Sequence, residues 1–142
     1  MSAAGDATMT SRTPTWYSSK PSAADRLLLC WQNLVTGLDP VTEFPLDQPE
    51  GRLTKGGRRP RPWLFDLAWP DHRVLVEVNG YGFGHLAIHA VARDAMKTRD
   101  AVAAGYRVVT YTSKCLGSYA SCVDAVEYIE GLLTRDRDGY LA

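Results

Sequence analysis

The sequence predicts an α/β domain organised around a short sheet, and two observations carry that expectation. Apolar residues recur at helical spacing in three segments. Between those segments stand four short runs rich in β-branched and aromatic residues, the composition of strands. The resulting order is α-β-β-β-α-β-α, without an internal repeat.

Residues 1–21, rich in Ser, Thr, Ala and Pro, read as a flexible N-terminal arm. Ser22 stands where a helix N-cap belongs, with Asp25 three positions on, near the positive end of the helix. The segment ADRLLLCWQNLVTG carries Leu27, Cys30, Trp31 and Leu34 at helical spacing and reaches a stop at Gly37. VTEFPLD (41–47) reads as a strand, and Pro45 assigns it to a sheet edge. A polar loop follows, QPEGRLTKGGRRPRP, holding the basic residues Arg52, Lys55, Arg58, Arg59 and Arg61. Residues 63–79 form a strand hairpin, after which comes the glycine-rich link GYGFG. A helix is expected over 86–104, ended by Gly105, then the strand YRVVTYT (106–112) and a last helix over 119–134. The expected organisation is an arm (1–21), one domain (22–134) and a charged tail (135–142).

Sixteen basic and sixteen acidic residues balance, so any nucleic-acid binding must come from local patches. No apolar run approaches the roughly 20 residues of a membrane span, and the N-terminus lacks the apolar centre of a signal peptide. Three cysteines without a CxxC pair suggest neither a disulfide framework nor a zinc site, which fits a reducing, cytoplasmic setting. The glycine link lacks the GK[ST] of a phosphate-binding loop, so no nucleotide cofactor is expected.

The hairpin WLFDLAWPDHRVLVEVNG poses the chemical question. It sets Asp66 and Glu77 in the middle of two otherwise apolar strands, and carboxylates are rarely buried without a partner. A turn centred on Pro70-Asp71 would place Asp66 opposite Leu75, making Asp66 and Glu77 diagonal neighbours on one face, their β-carbons within roughly 7–8 Å. Two carboxylates so placed can share one hard divalent cation such as Mg²⁺. Alternatively, each pairs with an arginine such as Arg73 or Arg107, or sits at a wet strand end.

The chain resembles the PD-(D/E)xK nuclease superfamily, and is most similar to small phage and prophage nucleases of that superfamily. The text that carries the likeness is RPWLFDLAWPDHRVLVEVNGYGFGH followed by RDAMKTRDAVAAGYRVVTYT, within a match covering about residues 22–113. The resemblance implies a restriction-endonuclease-like αβββαβ core, a central mixed sheet flanked by helices. It also implies Mg²⁺, replaceable by Mn²⁺, held by Asp66, Glu77 and the backbone carbonyl of Val78. Asp25 falls where many relatives carry an acid that touches the metal or its water. One position departs from the pattern: the superfamily lysine is Asn79 here, which can orient water but supplies no cation.

His85, His89, Arg93 and Lys97 are spaced by four and stack on one helical face. Lys97 falls at a lysine of the closer relatives and is expected over the acidic face of the sheet. His85, His89 and Arg93 join the basic loop as candidate DNA contacts, and Asp94 reads as the partner of a basic neighbour. The function implied is metal-dependent hydrolysis of DNA phosphodiesters, in a bacterial or phage-infected cell. A homodimeric Holliday-junction resolvase is the leading form, with Leu27, Leu28 and Trp31, or the last helix, as candidate interface. A nickase acting on mismatched or damaged duplex, and a nuclease-fold nucleic-acid-binding protein that no longer cuts, are the competing readings.

Overall fold

The computed structural model describes residues 12–80 and 85–137, without the side chains of 85–87, 136 and 137. Its elements are α1 (Ala23–Leu34), β1 (Val41–Leu46), β2 (Trp63–Trp69), β3 (Val74–Asn79), α2 (His85–Ala103), β4 (Arg107–Thr112) and α3 (Tyr119–Arg137). Short 3-10 turns occupy Pro70–His72 and Lys114–Leu116. The element order is the expected one, and the four strands form one mixed sheet of order β1-β2-β3-β4. The described residues fall into two compact units, 12–39 with 111–137, and 40–80 with 85–110.

In the helical unit, Ser22 Oγ accepts the amide of Asp25 at 3.2 Å and starts α1. The helix ends three residues before Gly37, at Leu34, with the extended Val35 as cap. Leu27, Cys30 and Trp31 are fully buried, as are Cys122 and Ile129 of α3. Leu27 and Trp31 are therefore core residues, which corrects their assignment to a dimer interface: the apolar stripe of α1 is spent within the chain.

The described part of the expected arm is also packed. Trp16, Tyr17 and Tyr119 meet edge to face at centroid distances of 5.3 to 6.4 Å. Arg26 donates to the carbonyls of Pro21 at 2.7 Å and Leu116 at 2.9 Å. Aromatic area and carbonyl caps hold residues that composition alone assigned to loose chain; residues 1–11 lie outside the described residues. At the other end α3 continues to Arg137, three residues into the expected tail.

The sheet unit is built on the hairpin. Phe65, Ala68, Leu75 and Ala101 form its buried centre, with Phe44, Leu46, Trp63, Tyr106 and Val108 packed against it. β1 lies at the sheet edge, as Pro45 requires. The hairpin register differs from the one expected. Leu67 pairs with Val76, Ala68 with Leu75 and Trp69 with Val74. The turn takes four residues because a 3-10 turn over Pro70–His72 is closed by Arg73 in the left-handed region, φ 57°. Its centre thus moves one residue on, and Asp66 falls opposite Glu77 rather than diagonal to it.

At the end of α2, Gly105 adopts φ +94°, and the amide of Tyr106 reaches back to the carbonyl of Ala101 at 3.0 Å. A side chain at Gly105 would meet Arg73 Nη2 at 2.8 Å. That guanidinium lies 4.4 Å from the centre of the Tyr106 ring and donates to the carbonyl of Ala104, so it ties the hairpin turn to the helix exit.

Candidate functional site

The new register places Asp66 and Glu77 one step beyond the last paired residues, Leu67 and Val76. Asp66 Oδ2 accepts the backbone N–H of Val78 at 2.8 Å, so a carboxylate takes up an amide where the strands part. Glu77 meets Lys97, which reaches it from α2. Lys97 Nζ lies 2.6 Å from Glu77 Oε2, also donates to the carbonyl of Leu64, and sits 4.6 Å from the centre of the Phe65 ring. Lys97 is only 8% exposed. Apolar burial of that kind is tolerable for an ammonium because a carboxylate, a carbonyl and a ring face share its charge.

Burial raises the Glu77 pKa above the usual glutamate range, the hydrogen bond and charge of Lys97 oppose that rise, and the negative charges of Asp66 and Asp94 add to it. Its second oxygen, Oε1, is buried without a hydrogen-bond partner among the described residues. A buried, unpartnered carboxylate oxygen costs free energy on the order of 1–3 kcal/mol or more. Such an atom is a natural point of attachment for a cation.

The donors, two carboxylates and a backbone carbonyl, are of the kind a hard metal ion takes. Among the described residues no group of three or more His, Cys, Asp and Glu side chains could hold a metal. Mg²⁺ does not need one, since it takes one or two carboxylates and completes its shell with waters and substrate oxygens. Asp66, Glu77 and the Val78 carbonyl supply that minimum.

The remaining candidates divide. Asn79 is buried at the end of β3. Asp25 belongs to the helical unit, exposed in the first turn of α1. His89 and Arg93 lie on the exposed side of α2, and the side chain of His85 lies outside the described residues, as do residues 81–84 of the glycine-rich link. Asp94 forms no ion pair among the described residues; its charge bears on Glu77 instead.

In the basic loop, Lys55, Arg58, Arg59 and Arg61 are exposed. The loop is shaped by its own bonds: the amide of Thr54 donates to the Arg58 carbonyl at 2.8 Å and that of Gly57 to the Thr54 carbonyl at 2.9 Å. A cavity of about 460 Å³ opens there, lined by Arg52 and Arg59 but also by Asp47 and Glu50, so its charge is mixed. Arg52 differs from the other four. Its two Nη atoms hold Asp100 at 2.6 and 3.1 Å, and Nη1 also donates to Gln48 at 2.9 Å. Its guanidinium is therefore engaged within the fold, and a role as a free phosphate contact would require breaking that pair.

Asp100 is the residue that reading the sequence missed. It is 7% exposed, accepts the Trp63 indole N–H at 2.8 Å as well as Arg52, and its pKa is held low chiefly by the Arg52 hydrogen bond. Its position three residues after Lys97, on an adjoining stripe of the same helix, was the available signal.

No family model, curated protein or solved structure matches this chain. Fold and site together define an α/β chain whose hairpin carboxylates converge with a buried lysine.

Proposed function

We propose that the chain is a metal-dependent DNA endonuclease of the PD-(D/E)xK kind, with a four-way junction as its leading substrate and a homodimer as its working form. The observation that carries this reading is the Lys97–Glu77 pair: a helix lysine delivers to the acidic hairpin the cation that Asn79 cannot. An ordinary structural ion pair accounts less well for Glu77 Oε1, which stays buried and unpartnered beside a second carboxylate.

Asp66, Glu77 and the Val78 carbonyl would hold Mg²⁺ or Mn²⁺, which when bound supplies an activated water and charge for the phosphate. Lys97 has three donors and uses two of them, on Glu77 and Leu64, so a phosphate oxygen arriving at the site would be met by the remaining N–H. The contact strengthens as negative charge builds on the phosphate, which is the condition for accelerating the step. Asp66 is kept oriented by the Val78 amide. Arg58, Arg59 and Arg61, in the loop that leads into β2, would follow the phosphate backbone without reading sequence.

One observation favours a second reading. Glu77 already has a cation in Lys97, as expected of a nuclease fold that binds nucleic acid without cutting it. Cleavage of a four-way junction, a mismatched duplex and a plain duplex, side by side with Mg²⁺, separates the readings. Preferential, symmetric cutting of the junction supports a resolvase, and nicking of the mismatch supports a repair-type nickase. Binding of all three without cutting supports the non-catalytic form. Among the described residues no helix is long and apolar enough to cross a membrane.

A further inference from the structure

Helix α2 grips the start of β2 at two successive residues. Asp100 accepts the indole N–H of Trp63 at 2.8 Å, and Lys97 donates to the carbonyl of Leu64. Asp100 and Lys97 are three apart, hence neighbours on the helix surface, and both are nearly buried, at 7% and 8% exposure. Asp100 also takes both Nη atoms of Arg52, so a planar fork and an indole N–H fix one carboxylate in place. Lys97, by contrast, ends a flexible four-carbon stem with many rotamers open to it. Its ammonium stays on Glu77 only if the helix beneath it is held.

We propose that Asp100 is a positioning residue: the Arg52–Asp100–Trp63 clamp docks α2 on β2 and thereby keeps the Lys97 ammonium on Glu77. The catalytic consequence rests on the hydrolytic reading, whereas the docking does not. Because Arg52 also roots the basic loop, the same clamp ties that loop to the helix that carries the lysine.

The test uses the full chain and its Asp100→Ala, Arg52→Ala and Trp63→Phe variants, with thermal unfolding to identify conditions where each is folded. The first readout is the side-chain ¹⁵N-lysine spectrum, simple here because the chain has only Lys20, Lys55, Lys97 and Lys114. Lys97, shielded and hydrogen-bonded, gives a slowly exchanging ammonium signal in the unaltered chain. Asp100→Ala speeds that exchange at least tenfold, and Arg52→Ala and Trp63→Phe do so less. The second readout is single-turnover cleavage with Mn²⁺. Asp100→Ala lowers the rate by about 100-fold, the effect expected of a misplacement near 1 Å, while DNA affinity stays within about twofold. A Lys97 signal as protected in Asp100→Ala as in the unaltered chain overturns the proposal, and so does its absence from the unaltered chain. If the unaltered chain does not cut DNA but its Lys97 signal collapses in the variant, the clamp stands and the hydrolytic reading falls. Should Asp100→Ala not fold, Arg52→Ala carries the same comparison: retained protection there overturns the proposal.

Discussion

Replacing Lys97 by Met keeps most of the buried stem and removes its charge, leaving Glu77 Oε2 and the Leu64 carbonyl without their partner. Glu77 then faces two courses: to stay ionised and unpaired in a site where its side chain is 14% exposed, or to take up a proton. Protonation caps the penalty. Holding an ordinary glutamate, pKa about 4.3, protonated at pH 7 costs about 3.7 kcal/mol, and at pH 5 about 1 kcal/mol. Burial already raises the Glu77 pKa, and loss of Lys97, the main opposing influence, raises it further. A carboxylate with a higher pKa in the folded than in the unfolded chain opposes folding above the ordinary glutamate range and ceases to do so below it. Lys97→Met should therefore be destabilised by about 2–4 kcal/mol at pH 7, and by clearly less at pH 5. Urea unfolding of both proteins at the two pH values, with divalent cations chelated, measures this directly. A stability gap independent of pH would refute the reasoning, since it would mean that Glu77 is not the group left stranded.

Mn²⁺ should raise the melting temperature of the unaltered chain, since a ligand at 100 times its Kd contributes about 2.7 kcal/mol; Asp66→Asn and Glu77→Gln should lose that shift, and a shift retained in both would place the metal elsewhere. Asp100→Asn should lower stability at neutral pH by a margin that stays flat on acidification until about pH 4 and then closes, because a carboxylate with a depressed pKa contributes stability that is lost as the pH falls through its folded value. Thermal melts from pH 2.5 to 7 would show it, and a margin that persists at pH 2.5 would contradict it. Replacing Arg58, Arg59 and Arg61 with Ala should flatten the slope of log affinity against log salt by roughly 0.9 per lost contact on duplex DNA; an unchanged slope would show that the loop does not touch the backbone.

Local pattern made part of the candidate site's arrangement legible. Alternation in two strands put Asp66 and Glu77 on one face, and a spacing of four put Lys97 on a defined stripe of its helix; the Lys97–Glu77 distance of 2.6 Å is consistent with both. What escaped was non-local or lay in the backbone. The centre of the hairpin turn moved one residue on because Arg73 adopts φ 57°, a conformation nothing about an arginine announces. Arg52 looked like one more basic loop residue because its acid lies 48 residues further along the chain. Leu27 and Trp31 looked like a surface for a partner because an amphipathic stripe does not say whether its cover comes from the same chain. The last helix was expected to stop at 134, ahead of the charged tail, yet charge alone does not end a helix, and α3 runs on to Arg137.

In the proposed enzyme Asp66, Glu77 and Lys97 form one hydrolytic centre. Its most direct test is conversion of supercoiled plasmid by the unaltered chain, Asp66→Asn and Glu77→Gln in Mg²⁺, with each protein verified as folded and its DNA affinity matched. The unaltered chain should nick the plasmid in a reaction that stops on chelation, and both variants should lose at least 100-fold. Undiminished cutting by either variant, or plasmid left intact by the unaltered chain in Mg²⁺ and in Mn²⁺ alike, would contradict it.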